Sequence, residues 1–396
     1  MRSRIIIPFI LLLFIGCKSE NDTQRYNFDF PENILVLGHK GSGTKGVFGN
    51  SFYDNSIAGI LNAIAELDGA EFDLQMSLDS TLWLFHDHVM LDCNGNLVNI
   101  ATITDSSIEA YGACNYSAEI SRFEDLVKAL DTLKDTTKTL SLDLKVLQNP
   151  EAIKSFGGEA ELALFVAERI KNYLSKNNNN VFIEVPFSSQ VDIMESITGK
   201  TTFLIHNSFE YLRQSFRMNH SAPIHHFYTD VPELFENYGQ KSLLWVVNSA
   251  EEMMNVLALR PTAIQTDNIS MVQFFRALPV KGEVNETFRI APPEDKNDYL
   301  MINEFMGPFE QDVLFEIDLG TQHLGGVQVV FSAFDEQGIS TKWEALTYYK
   351  NIVHFFQGAD EHANLQTKSY KLYLWQPEGK AVNLKQPIEL RLIKLE

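Results

Sequence analysis

The chain has 396 residues, of which 45% are hydrophobic and 11% aromatic, and its formal net charge at pH 7 is −20. This composition excludes a disordered chain and provides ample apolar surface for packed cores, and the length fits a barrel-sized domain plus a smaller one. The acidic balance argues against a nucleic-acid partner, because a phosphate backbone is bound through clusters of Lys and Arg. The oligomeric state is left open.

The N-terminus has the pattern of an export signal. Two arginines precede an apolar run from Ile5 to Gly16, which is too short to span a bilayer as a helix. The run ends at Cys17 in a pattern that resembles a lipobox, whose cysteine is acylated and becomes the new N-terminus. We therefore predict a signal peptide over residues 1–16, a lipidated tether over 17–32, and an exported lipoprotein anchored in a membrane on its periplasmic side or at the cell surface. An ordinary signal peptide or short anchor with an incidental cysteine is the alternative.

Residues 33–279 alternate short apolar segments with amphipathic helical ones, which predicts parallel strands covered by helices. Nine segments have strand character: Ile34–His39, Ala70–Gln75, Leu82–His86, Leu140–Lys145, Val181–Val185, Thr202–His206, Ile224–Thr229, Leu243–Val247 and Ala263–Thr266. Helices are expected among them, for example over Phe123–Leu133 and Ala160–Leu174. The α/β fold that fits best is a (β/α)8 TIM barrel, which needs roughly 250 residues and leaves one of the nine segments short or outside the barrel. A doubly wound open sheet is the alternative.

After Pro279 the helical periodicity fades, and β-branched and aromatic segments alternate with turn residues. This pattern predicts a smaller all-β C-terminal module over residues 287–396, joined to the barrel by a linker over residues 279–286. Strands are expected over four segments: Val313–Ile317, Gly326–Ser332, Tyr370–Trp375 and Ile388–Leu392.

Charged residues interrupt two of the predicted barrel strands. Glu71 and Asp73 are two residues apart, so their side chains point to the same face of a strand, and Asp143 and Lys145 repeat this spacing. Charges inside a barrel are costly unless they are paired, and three acids with one lysine leave a net negative charge. One divalent cation, Ca²⁺ or Mg²⁺, held by Glu71, Asp73 and Asp143 would balance it.

Two histidines stand at the ends of predicted strands, His39 after the first and His86 after the third. Strand ends on one rim of a parallel barrel converge, and imidazole is suited to proton transfer near neutral pH. We therefore predict metal-assisted displacement at phosphorus in which His39 and His86 are the acid/base pair, in either assignment, and Lys145 polarises the phosphate oxygens.

Several motifs occur in an order that resembles the glycerophosphodiester phosphodiesterase family. They are Gly38-His39-Lys40-Gly41, Asp54-Asn55-Ser56, Glu71-Phe72-Asp73, His86-Asp87, Asp143-Leu144-Lys145, Trp245-Val246-Val247-Asn248 and Gln265-Thr266-Asp267. The resemblance implies a barrel that hydrolyses a glycerophosphodiester to an alcohol and glycerol 3-phosphate, with a small-molecule or lipid-derived diester as the substrate. It further implies that Lys40 and Lys145 contact the phosphate, that Asn55 orients groups in the site, and that Trp245 walls the alcohol pocket.

Two departures from the family keep alternatives open. Lys40 replaces an arginine, so a bidentate phosphate contact becomes a point charge, and Asp143 replaces the usual glutamate. An aspartate with a lysine two residues later is also similar to phospholipase D toxins that act on sphingolipids and lysolipids. A catalytically inactive surface binding lipoprotein is the alternative from another functional class.

Two further expectations concern covalent chemistry. An exported protein can pair Cys93 with Cys114, and this disulfide would brace the loop that follows His86. The motifs contain no obvious Ser or Cys nucleophile, so we expect a hydroxyl of the substrate itself to attack phosphorus and give a transient cyclic phosphate.

Overall fold

The computed structural model describes residues 25–28, 30–31, 33–117, 119–133, 137–174, 180–205, 218–224, 241–258, 260–277, 280–292, 299–306, 313–319, 327–335, 337–338, 340–347, 352–357, 367–376, 382, 384 and 386–395. The predicted signal peptide and Cys17 therefore lie outside the described residues. Within them, no helix combines the length and the apolar character needed to cross a membrane.

The barrel region contains strands β2 to β12 and all the α-helices of the described residues. The strands are β2 (Leu35–Gly38), β3 (Gly69–Met76), β4 (Leu82–Leu84), β5 (Val89–Leu91), β6 (Leu97–Asn99), β7 (Thr139–Asp143), β8 (Asn180–Val185), β9 (Thr201–Ile205), β10 (Asn219–Pro223), β11 (Ser242–Trp245) and β12 (Ala263–Thr266), preceded by β1 (Arg25–Phe28). The helices are α1 (Ile57–Glu66), α2 (Asp105–Asn115), α3 (Phe123–Leu133), α4 (Pro150–Phe156), α5 (Glu159–Leu174), α6 (Ser188–Thr198), α7 (Ala250–Ala258) and α8 (Ile269–Ala277), with short 3-10 helices at Ile100–Thr102 and Lys145–Gln148.

Eight parallel strands close into a barrel. They pair in the order β2, β3, β7, β8, β9, β10, β11 and β12, and β12 pairs with β2 again. The TIM barrel is thus confirmed, and closure excludes the open sheet. The ninth candidate is β4, which runs antiparallel to β3 and lies outside the barrel.

Alternation along β3 shows why these strands form a barrel with a polar interior. Phe72 and Leu74 are fully buried in a cluster with residues of the surrounding helices. Glu71, Asp73 and Gln75 are equally buried and point to the opposite face, toward the barrel interior. The apolar residues hold the helices in place while the polar ones form the lining of the site.

The sixth barrel strand differs from its prediction. The strand is Asn219–Pro223 rather than residues 224–229, of which only Ile224 is described. The segment Asn-His-Ser-Ala-Pro lacks an apolar run because His220 and Ser221 are buried polar residues. A search for apolar segments therefore passes over it.

The all-β module contains eight strands within the described residues: β13 (Val280–Ile290), β14 (Tyr299–Met306), β15 (Val313–Asp318), β16 (Gln328–Asp335), β17 (Ser340–Thr347), β18 (Ile352–Gln357), β19 (Thr367–Trp375) and β20 (Ile388–Leu395). They form a five-stranded sheet in the order β1, β13, β20, β15, β18 and a four-stranded sheet in the order β14, β19, β16, β17. Residues of both sheets, among them Phe315, Phe331 and Leu372, share one core.

Two predicted connections are in fact strands. The predicted linker over residues 279–286 is part of β13 from Val280 onward, and Arg25–Phe28, within the predicted tether, form β1. Strand β1 pairs antiparallel with β13 from Arg25 opposite Glu283 to Phe28 opposite Val280. Both segments are too polar to stand out as strands, since Arg25 and Asn27 alternate with the aromatic residues. The N-terminal segment therefore completes a sheet of the C-terminal module.

The five-stranded sheet is buried on both faces. Phe315 points into the core of the module, whereas its neighbour Leu314 belongs to a cluster with residues of α7 and α8, among them Met253, Val256 and Phe275. On β20, Ile393 lies in this second cluster too. The module is thus packed against the two helices that follow the last barrel strands.

Candidate active site

Three carboxylates meet where β3 and β7 end. Asp73 lies opposite Asp143 in the register of these strands, and Glu71 precedes Asp73 on the same face. Each of the three offers an oxygen within 4.8 Å of the oxygens of the others. The predicted ligand set is therefore brought together by the pairing of two neighbouring strands.

Burial and mutual repulsion perturb these acids. Burial raises the pKa of Glu71 well above its ordinary value, and the carboxylates of Asp73, Glu184 and Asp143 add to the effect. Burial also raises the pKa of Asp143, although Lys145 opposes the shift. The raised pKa values show that the ionised carboxylates are destabilised by burial and by one another, and a bound cation would relieve this destabilisation.

The lysine of this cluster stands in the 3-10 helix that follows β7, not on the strand as predicted. Its Nζ is 2.8 Å from Asp143 Oδ2 and 3.8 Å from Asp73 Oδ1. Burial alone would lower the pKa of Lys145, but these two carboxylates outweigh it and raise the pKa above its ordinary value. Lys145 is therefore a fixed positive charge beside the acids.

The remaining oxygens fit a hard divalent cation. Asp143 Oδ1 is buried and has no hydrogen-bond partner among the described residues. A buried acceptor without a donor is costly, and carboxylate oxygens are the ligands that Ca²⁺ and Mg²⁺ prefer. Glu71, Asp73 and Asp143 therefore form a donor set into which such an ion fits.

The turn after β2 donates hydrogen bonds to two of these carboxylates. The Lys40 backbone N–H donates to Glu71 Oε2 at 2.7 Å, and the Asn55 side-chain amide donates to Asp73 Oδ2 at 2.9 Å. Lys40 and Asn55 both have left-handed backbones, with φ of 50° and 58°. Such conformations are costly for non-glycine residues and are concentrated at functional sites. The Asn55 N–H donates to the Lys40 carbonyl at 2.9 Å, which holds the two residues together.

Gly38 is required for this turn. A Cβ at this position would lie 2.0 Å from the Gly41 carbonyl oxygen and 2.6 Å from the Ala63 Cβ. Only a residue without a side chain allows the backbone to double back at this point. The turn therefore brings His39 and Lys40 to the rim of the barrel beside Glu71.

His39 is held by Asp267, which is itself held by Asn248, and both residues come from the end of the barrel sequence. Its Nδ1 is 2.8 Å from Asp267 Oδ1, and Asp267 Oδ2 accepts a hydrogen bond of 2.8 Å from the Asn248 amide. Burial alone would raise the pKa of Asp267, but the hydrogen bond to His39, with help from Asn248 and the charge of Lys40, holds it below its ordinary value. Neither Asp267 nor Asn248 was assigned a role in the site from the sequence.

The sequence predicted that His86 ends a barrel strand. In the structure His86 follows β4, which lies outside the barrel. Its Nδ1 is 2.6 Å from Asp87 Oδ1, and its carbonyl accepts a hydrogen bond of 3.1 Å from the Gln75 side chain. The segment runs back over the end of β3, because the Phe85 N–H donates to the Asp73 carbonyl at 3.1 Å. His86 is therefore brought toward the carboxylates by an antiparallel excursion of the chain.

A disulfide joins Cys93 to Cys114, with 5.5 Å between the Cα atoms. Cys93 lies in the turn of the hairpin formed by β5 and β6, and Cys114 lies in the last turn of α2. The Asn115 side chain also donates to the Leu91 carbonyl at 2.9 Å. The hairpin that follows His86 is thus tied to α2.

A second polar group lies inside the barrel and was missed from the sequence. Glu184 on β8 is buried opposite Asp143, and burial together with the charge of Asp143 raises its pKa to about 7. Its carboxylate accepts hydrogen bonds from Ser141, Ser221 and Gln265. The only signal in the sequence was a single acid in an otherwise apolar strand, Val181–Val185.

Trp245, the predicted wall of the alcohol pocket, ends β11 and is partly buried. Its indole Nε1 donates to Ser221 Oγ at 2.8 Å, and its ring packs against a cluster that includes Leu37, Phe182 and Phe203. The structure therefore places an aromatic side chain on the same rim as the strand ends described above.

A sequence model described as the glycerophosphoryl diester phosphodiesterase family matches residues 39–271. Similar solved structures include a glycerophosphodiester phosphodiesterase from Thermotoga maritima, at 16% identity over 62% of this chain and 100% of that chain, with a TM-score of 0.46. A phosphodiesterase from Oleispira antarctica, in complex with the product sn-glycerol-3-phosphate, is 14% identical over 62% of this chain and 97% of that chain, with a TM-score of 0.47. A glycerophosphodiester phosphodiesterase from Parabacteroides distasonis is 15% identical over 62% of this chain and 98% of that chain, with a TM-score of 0.46. No curated protein sequence matches the chain.

Proposed function

Because the chain belongs to the glycerophosphoryl diester phosphodiesterase family, we propose that it hydrolyses glycerophosphodiesters with a divalent cation, releasing an alcohol and glycerol 3-phosphate. The observation that carries this proposal is the cluster of Glu71, Asp73 and Asp143 beside Lys145, on the same rim as His39. Three acids with mutually close oxygens are expensive to bury without a cation, and a bound divalent cation stabilises the charge that develops on phosphoryl oxygens during displacement.

Glu71, Asp73 and Asp143 would hold the ion, which when bound supplies positive charge to the non-bridging oxygens of the phosphate. Lys145 adds a second fixed charge at the same place, since its ammonium group is already oriented by Asp143 and Asp73. Pre-oriented charges of this kind stabilise the charge that develops during displacement.

The two histidines supply proton transfer. The Nδ1 of His39 is engaged by Asp267 and that of His86 by Asp87, which leaves Nε2 of each ring for the substrate. A carboxylate at Nδ1 fixes the tautomer in which Nε2 accepts a proton, and it stabilises the imidazolium that results. Either ring is therefore suited to take a proton or to return one.

We propose that the glycerol hydroxyl next to the ester attacks phosphorus first. The new P–O bond closes a cyclic phosphate as the bond to the alcohol breaks, one histidine takes the hydroxyl proton, and the other protonates the departing alcohol. Water then opens the ring to glycerol 3-phosphate. An attacking group that is part of the substrate avoids the entropic cost of positioning a water molecule.

The test is phosphorus NMR of glycerophosphocholine turnover with Ca²⁺ or Mg²⁺ present. Glu71→Gln and chelation should each abolish turnover, whereas Glu124→Gln, on the exposed face of α3, should leave it unchanged. Full activity in the presence of a chelator would contradict the requirement for a divalent cation. No turnover with either ion would contradict the function and favour the inactive binding lipoprotein.

The route is tested with a diester whose attacking hydroxyl is replaced by hydrogen. We expect this analogue to be inert and the cyclic phosphate to precede glycerol 3-phosphate in the time course. Equal rates for the analogue and for glycerophosphocholine would contradict the cyclic route without affecting the proposed function.

A second candidate is hydrolysis of a lipid-bearing diester such as a lysolipid. The hairpin that follows His86 exposes Val89, Leu91 and Leu97, and Leu91 lies directly opposite Leu97, so these aliphatic groups share one outer face. Such a face suits an acyl chain. Faster turnover of lysophosphatidylcholine than of glycerophosphocholine, lost in Leu91→Ser/Leu97→Ser, would favour this candidate.

We also propose that the protein is exported and anchored through an acylated Cys17, on the basis of the apolar run that ends at this residue. Residues 18–24, between Cys17 and β1, can span at most about 25 Å, so the anchor would hold the module close to the membrane. Cys17→Ser should give a soluble or uncleaved product. A mature N-terminus without acyl groups, found by mass spectrometry of the wild-type protein, would contradict the proposal.

A further inference from the structure

We infer that Glu184 and Ser221 form a relay that fixes the indole of Trp245 and thereby sets how tightly the site binds the alcohol group of its substrate. Glu184 and Ser221 are positioning residues in this scheme, because they act through Trp245. The inference rests on the proposed function only where it concerns the substrate.

Two consecutive hydrogen bonds make up the relay. Trp245 Nε1 donates to Ser221 Oγ at 2.8 Å, and Ser221 Oγ donates to Glu184 Oε2 at 2.5 Å. The direction of both bonds is fixed by chemistry, because an indole N–H can only donate and a serine hydroxyl has a single proton. With that proton given to the carboxylate, the hydroxyl presents its lone pairs to Trp245.

The far end of the relay cannot move easily. Glu184 Oε1 accepts hydrogen bonds from Ser141 Oγ at 2.7 Å and from Gln265 Nε2 at 2.8 Å. With Ser221, these donors come from β7, β10 and β12, so the carboxylate is tied to three strands besides its own. Glu184 is fully buried, and turning it away would leave a buried carboxyl group and three donors without partners.

Because of this arrangement, the role of Glu184 differs from that of the other three acids. Glu71, Asp73 and Asp143 form the group suited to a cation, and one buried oxygen of Asp143 has no hydrogen-bond partner within the described part of the chain. The oxygens of Glu184 are both engaged by neutral donors instead. In its ionised form Glu184 strengthens the bond from Ser221, and this bond polarises the hydroxyl oxygen toward the indole N–H.

Loss of the relay would affect Trp245 because, among the residues that the structure describes, Ser221 is the hydrogen-bond partner of its indole N–H. The ring is partly buried against the cluster of Leu37, Phe182 and Phe203, and a packed indole usually needs a partner for its polar edge. Without Ser221 the ring could tilt about its side-chain torsions. If Trp245 is the wall of the alcohol pocket, as the family resemblance implies, this wall would then be less well preorganised, which weakens binding more than chemistry.

The chain provides a matched pair of variants. Ser221 and Ser141 each donate a hydroxyl to Glu184, but only Ser221 also contacts Trp245. For glycerophosphocholine we expect Ser221→Ala to raise KM about three- to tenfold with kcat within about twofold, whereas Ser141→Ala leaves KM within about twofold. Ser221→Thr, which keeps the hydroxyl, should restore most of the wild-type KM.

A spectroscopic measurement separates the relay from the proposed function. Fluorine NMR of protein containing 5-fluorotryptophan gives one resonance for each of the four tryptophans, and Trp245→Phe identifies that of Trp245. Ser221→Ala should shift or broaden this resonance, and Ser141→Ala should not. An unchanged Trp245 resonance in Ser221→Ala, or equal rises in KM for both alanine variants, would overturn the relay. If the wild-type protein hydrolyses no diester, the proposed function and the role in substrate binding both fail, while the NMR experiment still decides the orientation of Trp245.

Discussion

The two histidines of the site are held in contrasting ways. His39 has 18% of its side chain exposed and is bound by Asp267, 228 residues away and itself 15% exposed. His86 is 40% exposed and is bound by its sequence neighbour Asp87, which is 66% exposed. Both bonds join Nδ1 to a carboxylate, yet one is enclosed by the barrel and the other faces solvent.

This contrast shows what closure of the barrel contributes. The His39 N–H donates to the Thr266 carbonyl, and β2 and β12 lie side by side only because the first and last strands pair. His39 is therefore oriented by the fold as a whole. His86 depends on local structure instead, namely the bond from Gln75 to its carbonyl and the disulfide-braced hairpin beyond it.

The largest effect should come from removing either imidazole. We expect His39→Ala and His86→Ala each to lower kcat/KM by roughly 10² to 10⁴, the usual contribution of general acid–base catalysis. Initial rates with glycerophosphocholine would measure this. His88→Ala is the control, because the His88 ring bonds to the Gln75 side chain and, among the described residues, to no carboxylate. A tenfold or smaller loss for either of the first two variants would remove that histidine from proton transfer.

The disulfide should stabilise mainly the segment around His86, and the surroundings of His39 much less. Cys93→Ser/Cys114→Ser removes a cross-link between residues 21 apart in the sequence, which on the entropic model is worth about 3 kcal/mol. We expect hydrogen exchange to accelerate in residues 87–116 and not in β2 or β12. Uniform acceleration across the barrel would show that the hairpin is not an independent unit.

The two aspartates should differ in their effect on rate. Asp267→Asn keeps the shape but offers the wrong partner to Nδ1 of a largely enclosed ring, so we expect kcat/KM to fall roughly tenfold to a hundredfold. Asp87→Asn should change it by less than about threefold, because an exposed ion pair contributes little. Equal losses would mean that exposure does not distinguish the two pairs.

The sequence predicted the parts of this site that depend on local pattern. Glu71 and Asp73 follow from the two-residue repeat of a strand, and α3 has the predicted bounds, Phe123–Leu133. The contacts of Asp267 and Glu184 could not be predicted, because their partners are separated from them by up to 228 residues and are brought together only when the barrel closes.

The errors in the predicted strands have a related cause. The β10 segment has no apolar run because two of its buried residues, His220 and Ser221, are polar, and Ser221 bonds to Glu184. The apolar run of β4 predicts a strand but does not reveal its direction. The sequence patterns of β1 and β13 indicate connections, because within the described residues these strands pair with each other and with β20, far away in the sequence. A local sequence pattern does not show which distant segments of the chain a strand will pair with.

The smallest effect is the dependence of stability on pH. The pKa of Asp267 is held below its ordinary value in the folded protein, despite burial, by His39, Asn248 and Lys40. A carboxyl group with a depressed pKa stabilises the folded state above its ordinary pKa, and this stabilisation is lost as the pH falls through the folded value. Asp267→Asn should therefore lower the free energy of unfolding by about 1.5 kcal/mol at pH 7, and the gap to the wild type should narrow below about pH 4. Urea unfolding between pH 7 and pH 3 measures this gap, and Asp87→Asn should show almost none at any pH. A gap that persists unchanged at pH 3 would mean that Asp267 stabilises the barrel through packing and not through its charge beside His39.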